Sequence, residues 1–198
     1  NLNSLPHYKM LNQSLTFLEN RLNQQLMREK NINEKLLVLT NISNIDGDKD
    51  PRNANKIVMS LVNIEEDANI KNINTGIPTS TAAQAEPFHL NCYILFSSQF
   101  EGNSYTTGLS YLSSILSFFK NNAIFSQQNA PELNPAFMRL SVELSNQSFE
   151  TMHHLWQALG TKYRPSLLYK MRLLLDVNEG RKQEIHAINQ IKSTSSIK

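Results

Sequence analysis

Three aspartates in the first third of the chain have the spacing of calcium ligands. Asp46, Asp48 and Asp50 alternate as the first three ligands of a calcium-binding loop do. Such a loop also needs glycine at its sixth position and glutamate at its twelfth, where this chain has Pro51 and Ile57. The segment therefore predicts a solvated turn rather than a calcium site.

The histidines and the single cysteine could supply softer metal ligands or a catalytic base. His89 and Cys92 have the spacing of half a zinc site, but no second pair of ligands lies at a matching distance. Residues three apart on a strand also point to opposite faces. His153 and His154 are neighbours on a predicted helix and diverge by about 100°, so they cannot chelate one ion as an i, i+4 pair can. The sequence predicts no metal, no cofactor and no catalytic site.

An acidic triplet ends one predicted strand: Glu65, Glu66 and Asp67. Paired carboxylates can carry out acid–base catalysis, but no histidine or lysine nearby in the sequence offers them a partner. A solvated strand end is one interpretation of this triplet. The functional interpretation that we favour is an ion pair with lysine or arginine on a neighbouring chain.

Four basic residues near the C-terminal end could form a patch: Lys162, Arg164, Lys170 and Arg172. The net charge of the whole chain is only +2, so it has no strong field to attract nucleic acid or an anionic membrane. We therefore interpret these residues as a protein-contact face, and expect no nucleic-acid partner.

Composition favours one globular domain with a packed core. The chain has 198 residues, of which 40% are hydrophobic and 18% charged. Its single cysteine excludes an internal disulfide framework and fits a reducing compartment. No apolar run approaches the roughly 18 residues of a membrane span, and no signal peptide is visible. We expect a cytoplasmic protein and no membrane contact.

Periodicity predicts helices and strands in an irregular order. Apolar residues recur at helical spacing in 7–29, 105–120 and 148–159, the last with Ser148 as N-cap and Gly160 as its left-handed stop. Strands are predicted at 36–41, 56–64, 89–100, 138–145 and 167–175. The second of these has apolar residues on both faces and should be central in the sheet. The fold class that follows is α+β, with a single mostly antiparallel sheet flanked by helices.

In two predicted strands, the alternation of apolar and polar residues indicates which side chains face the core. Four residues are expected inward in 138–145: Met138, Leu140, Val142 and Leu144. In the last strand, Tyr169 shares the apolar face while Lys170 and Arg172 share the other. In the helix 105–120, Leu109, Leu112, Leu116 and Phe119 are expected to face the sheet.

Two segments do not fit the regular pattern. Residues 68–87 are rich in Asn, Thr, Ser and Ala, and are either a partner-contacting arm or a mobile surface loop. Residues 179–198 are a polar C-terminal extension that could be a helix, a strand or a tail. The expected domain is therefore 1–178, followed by the extension.

Three motifs, in this order, carry a resemblance to a known family. They are Ser60-Leu61-Val62-Asn63-Ile64-Glu65-Glu66-Asp67, Leu90-Asn91-Cys92-Tyr93-Ile94-Leu95-Phe96-Ser97 and Leu155-Trp156-Gln157-Ala158-Leu159-Gly160-Thr161-Lys162-Tyr163-Arg164-Pro165-Ser166. Over residues 7–178 the chain resembles the N-terminal domain of tail-terminator (cap) proteins. These belong to contractile injection systems, phage-tail-like machines such as the antifeeding prophage and the Photorhabdus virulence cassettes.

The resemblance implies a structural protein without enzymatic activity. Members form a hexameric ring that closes the distal end of the inner tube and sheath, and it stops polymerisation at the length set by a tape-measure protein. Partners are then other copies of the chain, sheath and tube proteins, with the tape-measure protein as a further candidate. The protein would be cytoplasmic during assembly and then part of the particle.

The resemblance also suggests which residues make contacts. Carried over onto the matching motifs, subunit or partner contacts fall at these positions: Glu65, Glu66, Asp67, Lys162, Tyr163, Arg164 and Pro165. Lys170 and Arg172 join them through the charge pattern. Trp156 and Tyr169 are expected to hold the core.

One alternative function is an adaptor that tethers the particle to a membrane or envelope component through the chain after Glu179. A small enzyme that depends on His153 or His154 is the other.

Overall fold

A computed structural model describes residues 7–43, 50–67 and 88–175 of the chain. Their helices are α1 (His7–Lys30), α2 (Tyr105–Asn121) and α3 (Phe149–Ala158). Their strands are β1 (Leu37–Leu39), β2 (Ile57–Glu66), β3 (Phe88–Ser98), β4 (Ile124–Phe125), β5 (Phe137–Leu144) and β6 (Ser166–Leu175). The predicted arm at 68–87, the extension at 179–198, and Asp46 and Asp48 lie outside the described residues.

The strands form one six-stranded sheet in the order β1-β2-β3-β6-β5-β4. β1 is parallel to β2, and every other neighbouring pair is antiparallel. The predicted α+β class with a mostly antiparallel sheet is therefore confirmed. β4 is too short to be read from the sequence, since two residues carry no periodicity.

Helices α1 and α2 cover the first face of the sheet. The predicted leucine stripe of α1 is confirmed, because Leu18, Leu22 and Leu26 are almost wholly buried. They share a core with Phe96 of β3 and Tyr169 of β6, whose rings lie 5.7 Å apart. The prediction that Tyr169 belongs to the core is confirmed.

The predicted face of α2 is partly wrong. Leu112 and Phe119 are buried as expected, but Leu109 and Leu116 are each 37% exposed. The helix turns Gly108 toward β3 instead, and a Cβ built there would lie 2.8 Å from the Cβ of Phe100. The close approach of the Gly108 backbone to Phe100 sets the rotation of this helix about its axis. The spacing of apolar residues alone does not show this rotation.

Helix α3 covers half of the second face. Trp156 is 3% exposed and packs in a separate cluster with Val58, Leu95 and Leu168, which confirms its predicted core role. The helix begins where the hydroxyl of Ser148 accepts a hydrogen bond from the backbone N–H of Thr151.

The helix is followed by Gly160 with a φ of +65°, so the predicted cap and stop are both confirmed.

Two strands depart from their predicted faces. β2 is central only at its start, because β1 pairs with Ile57–Met59 alone and the strand is exposed from Asn63 to Glu66. In β5, Met138 is 49% exposed and Leu144 is 43% exposed, although both were expected inward. A register shift after Phe137 moves Met138 off the core face, and Phe137 is buried in its place.

Candidate functional site

Polar side chains cover the half of the second sheet face that α3 leaves open. Residues directly opposite each other in an antiparallel pair share a face, so the strand register arranges these side chains in three rows. The rows are Asn63–Tyr93–Lys170–Glu143, Glu65–Asn91–Arg172–Ser141 and His89–Leu174–Arg139. We call this surface the polar face. It brings Glu65 together with Lys170 and Arg172, which were predicted as separate contact groups.

The carboxylate of Glu65 is oriented by two neighbours on the polar face. The Tyr93 hydroxyl donates to Glu65 Oε2 at 3.1 Å, and the Asn63 amide donates to Oε1 at 3.0 Å. Lys170 Nζ lies 5.7 Å from the centre of the Tyr93 ring. A tyrosine is already protonated at neutral pH, and burial, followed by the Glu65 carboxylate, raises the pKa of Tyr93 further.

Arg172 forms an ion pair with Glu143 on the neighbouring strand. Arg172 Nη2 lies 2.7 Å from Glu143 Oε1, and the two side chains are 51% and 55% exposed. Exposed pairs of this kind are worth about 0–1 kcal/mol, because water competes for both charges. The guanidinium can therefore exchange this partner for another at little cost.

A groove of about 240 Å³ runs across the second and third rows of the polar face. Its walls include the acidic Asp67 as well as His89, Asn91, Arg139 and Arg172. Asn91 is 5% exposed, and its Oδ1 has no hydrogen-bond partner within the described parts of the chain. A buried acceptor left unpaired costs roughly 1–3 kcal/mol, and such groups in native proteins usually have a partner.

The loop between α3 and β6 holds the other predicted contact residues. Lys162 is exposed, and Tyr163 is 64% exposed with its ring packed edge-on 5.7 Å from Trp156. Both side chains line a wide cleft that also reaches Tyr105 at the start of α2. Of the predicted loop contacts, Lys162 and Tyr163 are the two whose side chains are best presented to a partner.

Arg164 and Pro165 anchor the loop to the body of the protein. Arg164 is 9% exposed, and its Nη2 lies 2.8 Å from Glu101 Oε1. The carbonyl of Pro165 accepts a hydrogen bond from the backbone N–H of Ser98 at 2.9 Å. Whether either residue also touches another subunit stays a prediction.

The four basic residues do not form one patch. Lys162 and Arg164 precede β6, whereas Lys170 and Arg172 lie in its middle and far half. Arg172 is six residues beyond Ser166, the start of the strand, which is about 20 Å along β6. The protein therefore has two separate charged regions.

Replacing Arg164 with alanine should lower the free energy of unfolding by about 1–2 kcal/mol, because a buried charged hydrogen bond is lost while Glu101 can still be hydrated. Lys162→Ala is the matched control on the same loop, and should change stability by less than about 0.5 kcal/mol. Urea unfolding followed by tryptophan fluorescence measures both. Equal stabilities for the two variants would contradict the anchoring role of Arg164.

The residues with potential for metal binding or catalysis remain separate. Cys92 lies in the core of the first face, where burial raises its pKa to about 11, whereas His89 lines the groove on the second face. The rings of His153 and His154 are 6.1 Å apart on the outside of α3. No three or more His, Cys, Asp or Glu residues in the described ranges are arranged to hold a metal ion.

None of the helices in the described ranges is long and apolar enough to cross a membrane.

Comparison with protein families gives a match along most of the chain. A sequence profile of the Pvc16 N-terminal domain matches residues 15–189, which includes the polar face and the loop after α3. The chain belongs to the Pvc16 N-terminal domain family. The family resemblance predicted from the three motifs is thereby confirmed.

Solved structures that are similar to this chain include two parts of injection particles. One is the sheath/tube terminator, in the extended state, of the PVC extracellular contractile injection system, with 17% identity and a TM-score of 0.46. The other is the tube-terminating cap of the anti-feeding prophage, with 17% identity and a TM-score of 0.49. Each alignment covers 81% of this chain and 56% or 54% of the other, so this chain spans about half their length. No curated protein matches the chain.

Several members of the polar face were not among the predicted contact residues, including His89, Asn91, Tyr93 and Arg139. They alternate with core residues along β3 and β5, so alternation alone could have placed them on the second face. What alternation could not supply is their position opposite Glu65 and Arg172, because register depends on pairing between distant strands.

Proposed function

We propose that this protein is a structural component of the terminator, or cap, of a phage-tail-like contractile injection system. In this role it forms a homohexameric ring at the distal end of the inner tube and sheath, and stops their polymerisation. The observation that carries the proposal is membership of the Pvc16 N-terminal domain family over residues 15–189, together with the three motifs that resemble terminator proteins.

The sheet edges of the described fold suit a subunit that associates side by side. β1 pairs with three residues of β2, so Leu61–Glu66 has no described strand on its outer side. β4 pairs with Leu140 and Ser141 of β5 and leaves Phe137–Arg139 without a described outer neighbour. Strand edges left open in this way are common places for pairing with another chain.

Partners follow from the position of a terminator. The ring would contact the last rings of inner-tube and sheath subunits, and the tape-measure protein would reach it during assembly. The protein would then act in the cytoplasm where particles are built, and leave with the finished particle. Lys162 and Tyr163 on the loop before β6 are the described residues we assign to such partner contacts, since both are exposed.

Deletion of the gene in its native host tests the proposed function. Particles should be lost, or their tubes should have an uncontrolled spread of lengths, because nothing stops subunit addition. Electron micrographs of negatively stained particles give the length distribution directly. Expression of the wild-type chain from a plasmid is the control and should restore one length. Particles of normal number and length in the deletion strain would contradict the proposal.

A further inference from the structure

At one end of the described sheet, an acidic residue lies on the β2 side and a basic residue lies on the β5 side. β2 runs toward the acidic residue Glu65, and β5 begins near the same end of the sheet with Arg139. Between them, Arg172 of β6 and the buried Asn91 of β3 line the groove. The acidic side coincides with the open edge of β2, and the basic side with the open end of β5.

Glu65 and Arg139 cannot pair with each other within one chain. β2 and β5 are separated by β3 and β6, and strands lie about 4.8 Å apart, so Glu65 and Arg139 are about 14 Å apart across the sheet. Arg139 has no ion pair with any described residue, and Arg172 holds only the exposed pair with Glu143. Glu65 and Arg139 can therefore each pair with a charge on a second molecule.

We propose that the acidic end of β2 in one copy of the chain docks into the groove between β6 and β5 of the next copy, with Glu65 meeting Arg139 and Arg172. A contact between two different surfaces of the same protein is heterologous, and it forms a ring when the rotation between successive copies closes. The inference rests on the proposed ring and names the surfaces that build it.

The chemistry of both surfaces fits this contact. A carboxylate can accept about four hydrogen bonds, and Glu65 uses two of them to hold its own orientation through Tyr93 and Asn63. The remaining positions suit a guanidinium, which binds carboxylates through two parallel donors. The incoming strand end also brings backbone N–H groups, the type of donor that Asn91 Oδ1 requires.

A cysteine pair tests the contact in assembled particles. The variant Glu65→Cys with Arg139→Cys should give, under mild oxidation, a ladder of covalent oligomers larger than the dimer on non-reducing gels. Disulfides need Cα atoms within about 7 Å, so the same pair cannot close within one chain. The native Cys92 is fully buried and should not contribute. Each single cysteine variant is a matched control and should stay monomeric on the gel.

The outcomes separate this contact from the proposed function. A dimer formed by Glu65→Cys alone would mean that two β2 ends meet, and would overturn the proposal. Normally terminated particles without any ladder would also overturn it, and would leave the terminator role intact. Normal particles after deletion of the gene would contradict the terminator role itself.

A charge exchange gives a second measurement that does not depend on oxidation. Arg139→Glu and Glu65→Arg, each alone, should reduce the amount of this chain in purified particles at least tenfold, since each places like charges together. The double variant should recover most of the wild-type amount. Both residues are exposed, so circular dichroism should show all variants folded. No recovery in the folded double variant would overturn the proposal.

Discussion

Replacing Asn23 with alanine should lower the free energy of unfolding by about 3 kcal/mol. Asn23 is 2% exposed in the middle of α1 and ties that helix to β1. Its Nδ2 donates to the carbonyl of Leu37 at 2.8 Å, while its Oδ1 accepts from the backbone N–H groups of Leu36 and Leu37 at 3.1 and 3.0 Å.

The large loss of stability comes from the backbone groups that lose Asn23 as their hydrogen-bond partner. Alanine would leave three buried backbone groups unpaired, and each costs about 1 kcal/mol, the lower end of the usual range, because β1 can partly detach and expose them to water. The better helix propensity of alanine returns only about 0.5 kcal/mol. β1 should therefore detach first, which would lengthen the open edge of β2 and favour aggregation through it.

The matched control is Asn20→Ala, an exposed asparagine on the same helix. It should leave the midpoint of urea unfolding unchanged or slightly higher. Hydrogen exchange of the Leu37 and Leu39 amides should accelerate in the Asn23 variant only. Equal midpoints for the two variants would contradict the account of how β1 is held.

Replacing Trp156 with alanine should lower the free energy of unfolding by about 3–5 kcal/mol. The indole is 3% exposed and fills the space between α3 and the second sheet face, against Val58, Leu95 and Leu168. Truncation of a buried aromatic residue removes its burial and leaves a cavity, and costs of this size are usual. Since small domains are stable by about 5–15 kcal/mol, the variant should be only marginally folded.

Trp156→Phe is the informative control. The indole Nε1 is buried without a hydrogen-bond partner in the described parts of the chain, so phenylalanine removes an unpaired donor while it keeps most of the apolar surface. Removal of the unpaired donor is favourable and loss of some apolar surface is unfavourable, so the free energy of unfolding should fall by less than about 1.5 kcal/mol. Chemical denaturation followed by far-ultraviolet circular dichroism measures both variants. A phenylalanine variant as unstable as the alanine variant would contradict this account.

The parts of the fold that follow from local pattern could be predicted from the sequence. The leucines of α1 and the alternation of β6 report burial on a scale of a few residues, and the cap at Ser148 and the stop at Gly160 act within one helical turn. The family resemblance rested on short motifs of the same kind, and the family is confirmed.

What depends on distant contacts could not be predicted. The rotation of α2 is set by Gly108 against Phe100, and the exposure of Met138 by a register shift in β5. Arg164 looked like a surface cation, but its partner Glu101 is 63 positions away and lies in another loop. The polar face requires register across four strands, of which only the end of β2 and the middle of β6 were singled out in advance.

As part of a terminator, this chain should lie at one end of an injection particle. Electron microscopy of particles from the native host, with gold-labelled antibody against the chain, tests this position. We expect label at one end of each particle, on the side away from the baseplate. Label along the shaft, at the baseplate end, or absent from intact particles would contradict the claim.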